Sequence, residues 1–141
     1  MFEIILTLNA LWFFMGFNVF SLRSKVFAKL LVPRDHRETP VFAILAASGR
    51  FLGGFNLAFA VFNGLLMINL ALFPENNQRA LFLFVFAVAH GSQFAFNLPI
   101  AIHNRRGSGV WQVLQGTMLF IFVVDFIMTV LNLALAVKLA L

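Results

Sequence analysis

Apolar residues fall into four long stretches, at about 2–22, 41–73, 79–102 and 110–141, separated by three short polar turns. A membrane-crossing helix needs about 20 mostly apolar residues, and each stretch is long enough. The pattern predicts an all-α, polytopic integral membrane protein: a four-transmembrane-helix bundle forming a single domain over residues 1–141. The first stretch has neither a basic residue before it nor an A-x-A-like cleavage site, so it reads as a retained helix. Residues 23–32 keep helical spacing but turn amphipathic, with Arg23, Lys25 and Lys29 alternating with Val26, Phe27, Leu30 and Leu31. That is the pattern of a helix lying in the interface with its basic side chains toward anionic headgroups. Thr39-Pro40 opens the second stretch as an N-cap followed by proline at the first helical position. This stretch exceeds what the bilayer requires, so it either tilts or lets its first turns protrude. Pro99 is expected to kink the third stretch near its end.

The polar residues inside the stretches are spaced as helix faces. On the second, Ala46, Gly49, Gly53, Asn56, Ala60 and Asn63 form one small-and-polar stripe, with Arg50 beside it. Gly49 and Gly53 make a G-x-x-x-G step that lets another backbone approach closely. His90, Gln93 and Asn97 share a face of the third. Gln115, Met118, Phe122, Asp125, Thr129, Asn132 and Ala136 follow the same rhythm on the fourth. The expected arrangement turns these stripes toward one another and the Phe-rich faces toward lipid, with the amides as glue between helices.

Ionisable groups at membrane depth are costly and face the interior. Arg50, His90 and Asp125 are the three candidates. His90 and Asp125 lie near the middle of their stretches and are expected to pair there, because a lone ionised carboxylate would cost several kcal/mol. Arg50 is expected nearer one end, bonded to Asn97 or Gln115. The candidate ligand or proton-relay residues are therefore Arg50, His90, Asp125, Gln93, Asn97 and Asn56, with Gly49 and Gly53 for packing.

Composition supports the membrane class. The chain of 141 residues is 62% hydrophobic and only 11% charged, with mean hydropathy +0.95; a soluble domain carries about 25% charge. The absence of cysteine excludes disulfides and thiol chemistry. The net charge of +5 does not indicate nucleic acid, because the cations sit in the turns. Arg23, Lys25, Lys29, Arg34 and Arg37, together with Arg105 and Arg106, fall on one side; Arg79 and Lys138 fall on the other. The positive-inside rule then predicts cytoplasmic turns at 23–37 and 103–108 and both termini outside. Trp111 is the one clear candidate for the interfacial aromatic belt.

No metal set, cofactor fingerprint or hydrolase motif is present, so no cofactor and no catalytic residue are expected. The segment Arg50-Phe-Leu-Gly-Gly-Phe-Asn-Leu-Ala, followed after a turn by Phe-Ala-Val-Ala-His90, resembles two groups of small four-span proteins. One is the DoxX-like bacterial membrane proteins, with an Arg and nearby Gly on an apolar helix. The other is the four-span scaffold family of ergosterol biosynthesis, with Arg-x-x-Gly on one span and a His on the next. The resemblance implies an accessory role near redox enzymes for the first and a scaffold role for the second. It carries over Arg50, Gly53 and His90, and leaves Asp125 outside the pattern.

Three readings follow. The favoured one is a non-enzymatic accessory or scaffold subunit that assembles with other membrane proteins or with its own copies. The second is an oligomeric transporter or channel with Arg50, His90 and Asp125 along a polar path. The third is a binding protein or intramembrane enzyme for an apolar small molecule such as a lipid, quinone or sterol. The expected partners in every case are the lipid bilayer and membrane components, not nucleic acid.

Overall fold

The computed structural model describes all 141 residues. It is all-helical, with 84% of residues in helix and no strand. Helix α1 spans Phe2–Phe17 and runs on as a π-helical turn over Asn18–Leu22; α2 is Ser24–Leu31, α3 Pro40–Ile68, α4 Asn76–Arg105 and α5 Gly116–Ala140. Four segments are long and apolar enough to cross a membrane: Phe2–Leu22, Pro40–Ile68, Asn76–Arg105 and Gly116–Ala140.

The ends of these helices differ from the sequence expectation for local reasons. The second apolar stretch leaves the α-helix at Ile68 rather than 73. Asn69 adopts φ −121°, ψ 28°, a short 3-10 turn follows over Leu70–Leu72, and Phe73 is held out of the helical region before Pro74, as proline demands of its predecessor. The fourth helix begins at Gly116, not at 110. Gln115 is extended (φ −138°, ψ 148°), and Gly107, Gly109 and Gly116 all take positive φ, a region closed to most other residues. Helix α4 passes through Pro99 and continues to Arg105. Thr39 precedes α3 as expected, but its hydroxyl donates back to the His36 carbonyl (2.8 Å).

The chain divides into two compact units, residues 7–65 and residues 1–6 with 66–141. In the first, α1 and its π turn pack antiparallel on α3. The register is marked by stacked Phe13 and Phe59 (centroids 5.0 Å apart), then by Gly16 against Asn56, Gly53 against Ser21, and Gly49 against Phe27. A wide-turn bond from Arg23 N to Asn18 O (2.8 Å) closes the π turn. Arg23 then leaves helical geometry (φ −114°, ψ 42°), so α2 starts afresh. Helix α2 buries Ser24, Phe27 and Ala28 and leaves Lys25, Val26 and Lys29 exposed. Its last carbonyls are capped by Arg37, whose Nε donates to Val32 O (3.0 Å) and Nη2 to Lys29 O (2.8 Å). In the second unit, α4 lies along α5. Ile5, Leu83, Leu135 and Ala136 form a buried apolar cluster flanked by Phe2 and Leu139.

Candidate functional site

The predicted stripes coincide in large part with the buried faces of their helices, with Gln93 half-buried and Gln115 exposed ahead of α5. On α3, Ala46, Gly49, Gly53, Ala60 and Asn63 are buried and Asn56 is half-buried. On α5, Met118, Asp125, Asn132 and Ala136 are buried, with Phe122 and Thr129 half-buried. On α4 the buried face is Ala80, Leu83, Phe86, Ala87, His90 and Ala101, with Asn97 half-buried in the same rhythm.

His90 and Asp125 meet. His90 Nδ1 lies 3.2 Å from Asp125 Oδ1, and the two side chains are 0% and 1% exposed. The pair is held by its neighbours on the same two helices. One residue along α4, Gly91 has no side chain where a Cβ would stand 3.2 Å from Thr129 Cγ2, which keeps α4 and α5 close. Thr129 in turn donates its hydroxyl to the Asp125 carbonyl (2.6 Å). One turn further, Phe94 stacks on Phe122 (4.6 Å) and tilts against Phe126 (5.1 Å). Chemically the pair joins an acid and a base in an environment almost free of water, where their mutual attraction is strong.

The other candidates separate from this pair. Arg50 is exposed on α3, and only its backbone is engaged, the carbonyl accepting from Ser21 Oγ (3.1 Å). The bond expected from its guanidinium to Asn97 or Gln115 is not made. Asn97 Oδ1 instead accepts from the indole Nε1 of Trp111 (3.3 Å), and Gln115 is an exposed residue before α5. Trp111, expected as a belt residue, therefore also ties its loop to α4. Gln93 is half-buried and lends its carbonyl to Asn97 Nδ2 (2.9 Å).

The amides expected to bridge helices commit their nitrogens within their own helices. Asn56 donates to Leu52 O, Asn63 to Phe59 O and Asn132 to Met128 O, each at 2.8 Å and each four residues back on its own helix. Asn97 does the same. An amide NH₂ group turned away from water needs an acceptor, and the carbonyl one turn back is within reach. This leaves the amide oxygen, not the nitrogen, as the outward group. In Asn63, which is fully buried, that oxygen has no partner.

Three residues escaped sequence reasoning. Asn9 is 0% exposed on α1; its spacing of three from Leu6 and four to Phe13, both buried, was the available signal. Arg37 looked like one more cation in a basic turn but caps α2. Asn104 organises the connection from α4 to α5: its Nδ2 donates to Ser108 O (3.0 Å) and Trp111 O (2.9 Å), and its Oδ1 accepts from Val113 N (2.7 Å). Val113 is thereby fully buried. An Asn before a Gly-Ser-Gly run marks a turn, but not which backbone groups it will hold.

Compared with protein families, with curated proteins and with solved structures, the chain has no match.

Proposed function

We propose that this chain is a multi-pass membrane protein that works as a non-enzymatic accessory or scaffold subunit, assembling with other membrane proteins or with further copies of itself. One observation carries the reading. The acid and base that an intramembrane enzyme would need, His90 and Asp125, are buried against each other and braced by Gly91, Thr129 and Phe94, while large apolar side chains face outward. Phe51, Phe55 and Phe96 are 78%, 70% and 79% exposed, a surface suited to lipid and to other membrane helices. The basic turns are assigned to the cytoplasm and both termini to the opposite side.

The cysteine-free chain suits single-cysteine mapping. In intact cells an impermeant maleimide is expected to label Asn77→Cys and not Ser108→Cys; the reverse pattern overturns the orientation. Carbonate extraction that releases the chain from membranes overturns the membrane assignment itself. Purification in mild detergent is expected to retain a stoichiometric membrane partner or a defined oligomer, and a lone protomer under every mild condition removes the accessory reading.

The buried His90–Asp125 pair also supports a second reading, a proton step within an oligomeric transporter, because ionisable pairs at membrane depth often mark such paths. Proteoliposomes test it. Proton or solute flux that disappears in Asp125→Asn favours transport over the accessory role.

A further inference from the structure

The Arg23–Val32 segment and Arg50 are far apart in the chain, yet the fold brings them to one place. Ser21 Oγ donates to the Arg50 carbonyl. A Cβ on Gly53 would stand 2.8 Å from Ser21 N, and one on Gly49 would stand 2.6 Å from Phe27 Cδ1. Phe27 is further fixed by an edge-on contact with Phe20 (4.7 Å, 68°). Lys25 and Lys29 flank Phe27 in sequence and are one helical turn apart, so they share the opposite, exposed face of α2. Arg50 therefore lies level with the end of the first apolar segment and with α2.

That level corresponds to a bilayer boundary. The stretch from Arg50 to Ile68 rises about 28 Å at about 1.5 Å per residue, close to the hydrocarbon thickness of about 30 Å. The turns of α3 before Arg50 then lie in the headgroup layer, which explains why α3 is longer than a crossing requires. The cations at this level are uncommitted. Arg23, Lys25, Lys29, Arg34 and Arg50 are all exposed, and neither the His36–Asp35 nor the His90–Asp125 pair involves them. Arg37, spent on capping α2, is the exception. Exposed apolar residues, Leu22 at 64% and Val26 at 45%, stand among these cations and suit the acyl side of a lipid.

We infer that Arg23, Lys25, Lys29 and Arg50, at one level on the exposed surfaces of α2 and α3, take the headgroup phosphates of anionic glycerophospholipids, on a platform fixed where Phe27 docks on Gly49. The inference rests on the membrane reading above. The rigid attachment of α2 distinguishes it from a loose basic tail: the cations are presented on a helix anchored to α3, so the site selects lipid rather than merely attracting it.

The full chain is reconstituted into vesicles of equimolar phosphatidylcholine and phosphatidylglycerol, then released in mild detergent for native mass spectrometry of retained lipid. Phosphatidylglycerol is expected to be enriched over phosphatidylcholine. The Lys25→Gln and Arg50→Gln double variant is expected to reduce that enrichment about fivefold for each cation removed, while Arg50→Lys retains it. Lys138→Gln, on α5, is expected to leave it unchanged. The site is overturned by equal retention of the two lipids, by undiminished enrichment in the double variant, or by an equal loss in Lys138→Gln, which would mean bulk charge alone. Displacement by inorganic phosphate as readily as by lipid would assign the site to a free anion and overturn the lipid. Carbonate extraction of each variant separates these outcomes from failure of the membrane reading: a released wild-type chain overturns both.

Discussion

The unit built on α1, α2 and α3 and the unit built on α4 and α5 hold their helices together by different means. In the first, contact depends on missing side chains. Gly16, Gly49 and Gly53 each face a side chain or backbone where a Cβ would collide. In the second, contact depends on groups added: a buried His90–Asp125 pair, a Phe94–Phe122–Phe126 stack and an asparagine that clamps a loop. Helices surrounded by lipid gain little from hiding apolar surface, so their association rests on close packing and polar contacts. The first device dominates in one unit and the second in the other, although Gly91 also admits Thr129 between α4 and α5 and Phe13 stacks on Phe59 between α1 and α3. The glycine device is tolerant of chemistry and intolerant of volume. The paired-charge device is the reverse, because a partner of similar size but wrong chemistry leaves a buried charge alone.

The contrast predicts separable responses to substitution, read as stability in detergent by circular dichroism during denaturant titration. Asp125→Ala is expected to be the most damaging change, about 3–5 kcal/mol, because it strips His90 of its buried partner. Asp125→Asn, which keeps the volume but removes the carboxylate, is expected to cost nearly as much; a clearly smaller cost would show that volume, not pairing, matters at this position. Gly53→Ala is expected to cost about 1–3 kcal/mol from overpacking, since the added methyl meets the Ser21 backbone, which cannot swing aside. Gly54→Ala, where nothing lies within 4 Å, is the matched control, expected to be neutral or slightly stabilising. A similar loss at both glycines would refute the close-approach account.

Asn104→Ala is expected to cost about 1–3 kcal/mol by leaving backbone groups of the α4–α5 connection unpaired. It should also raise protease sensitivity between residues 106 and 115, without changing the helix content. Phe94→Leu is expected to be the mildest of the damaging changes, about 0.5–1.5 kcal/mol from lost ring stacking, and unchanged stability would remove the stack from the list of contacts that join α4 to α5.

Periodicity was sufficient wherever one residue type meets one requirement. Ala46, Gly49, Gly53, Ala60 and Asn63 on α3 were legible as one face because a helix has a fixed repeat. His90 and Asp125 were legible as partners because two mid-stretch ionisable groups in an apolar chain have few alternatives. The amides were not. Asn56, Asn63, Asn97 and Asn132 carry the same spacing whether they bond across helices or back to their own, and the choice depends on which acceptor lies nearest in the folded chain. Arg37 and Asn104 were opaque for a related reason. Their partners are backbone atoms, which every residue has, so no residue type announces them.

By itself, then, the amino-acid sequence determined four apolar helices, their polar faces and the two residues that need one another, because hydropathy and helical repeat are local properties. Tertiary structure decided what the remaining polar atoms do. It released Arg50 from the partners expected for it and set it beside Ser21, it spent Arg37 on capping α2, and it started α5 at Gly116 after a loop pinned by Asn104. These outcomes depend on distances between residues remote in the chain, and those distances exist only once the helices have packed.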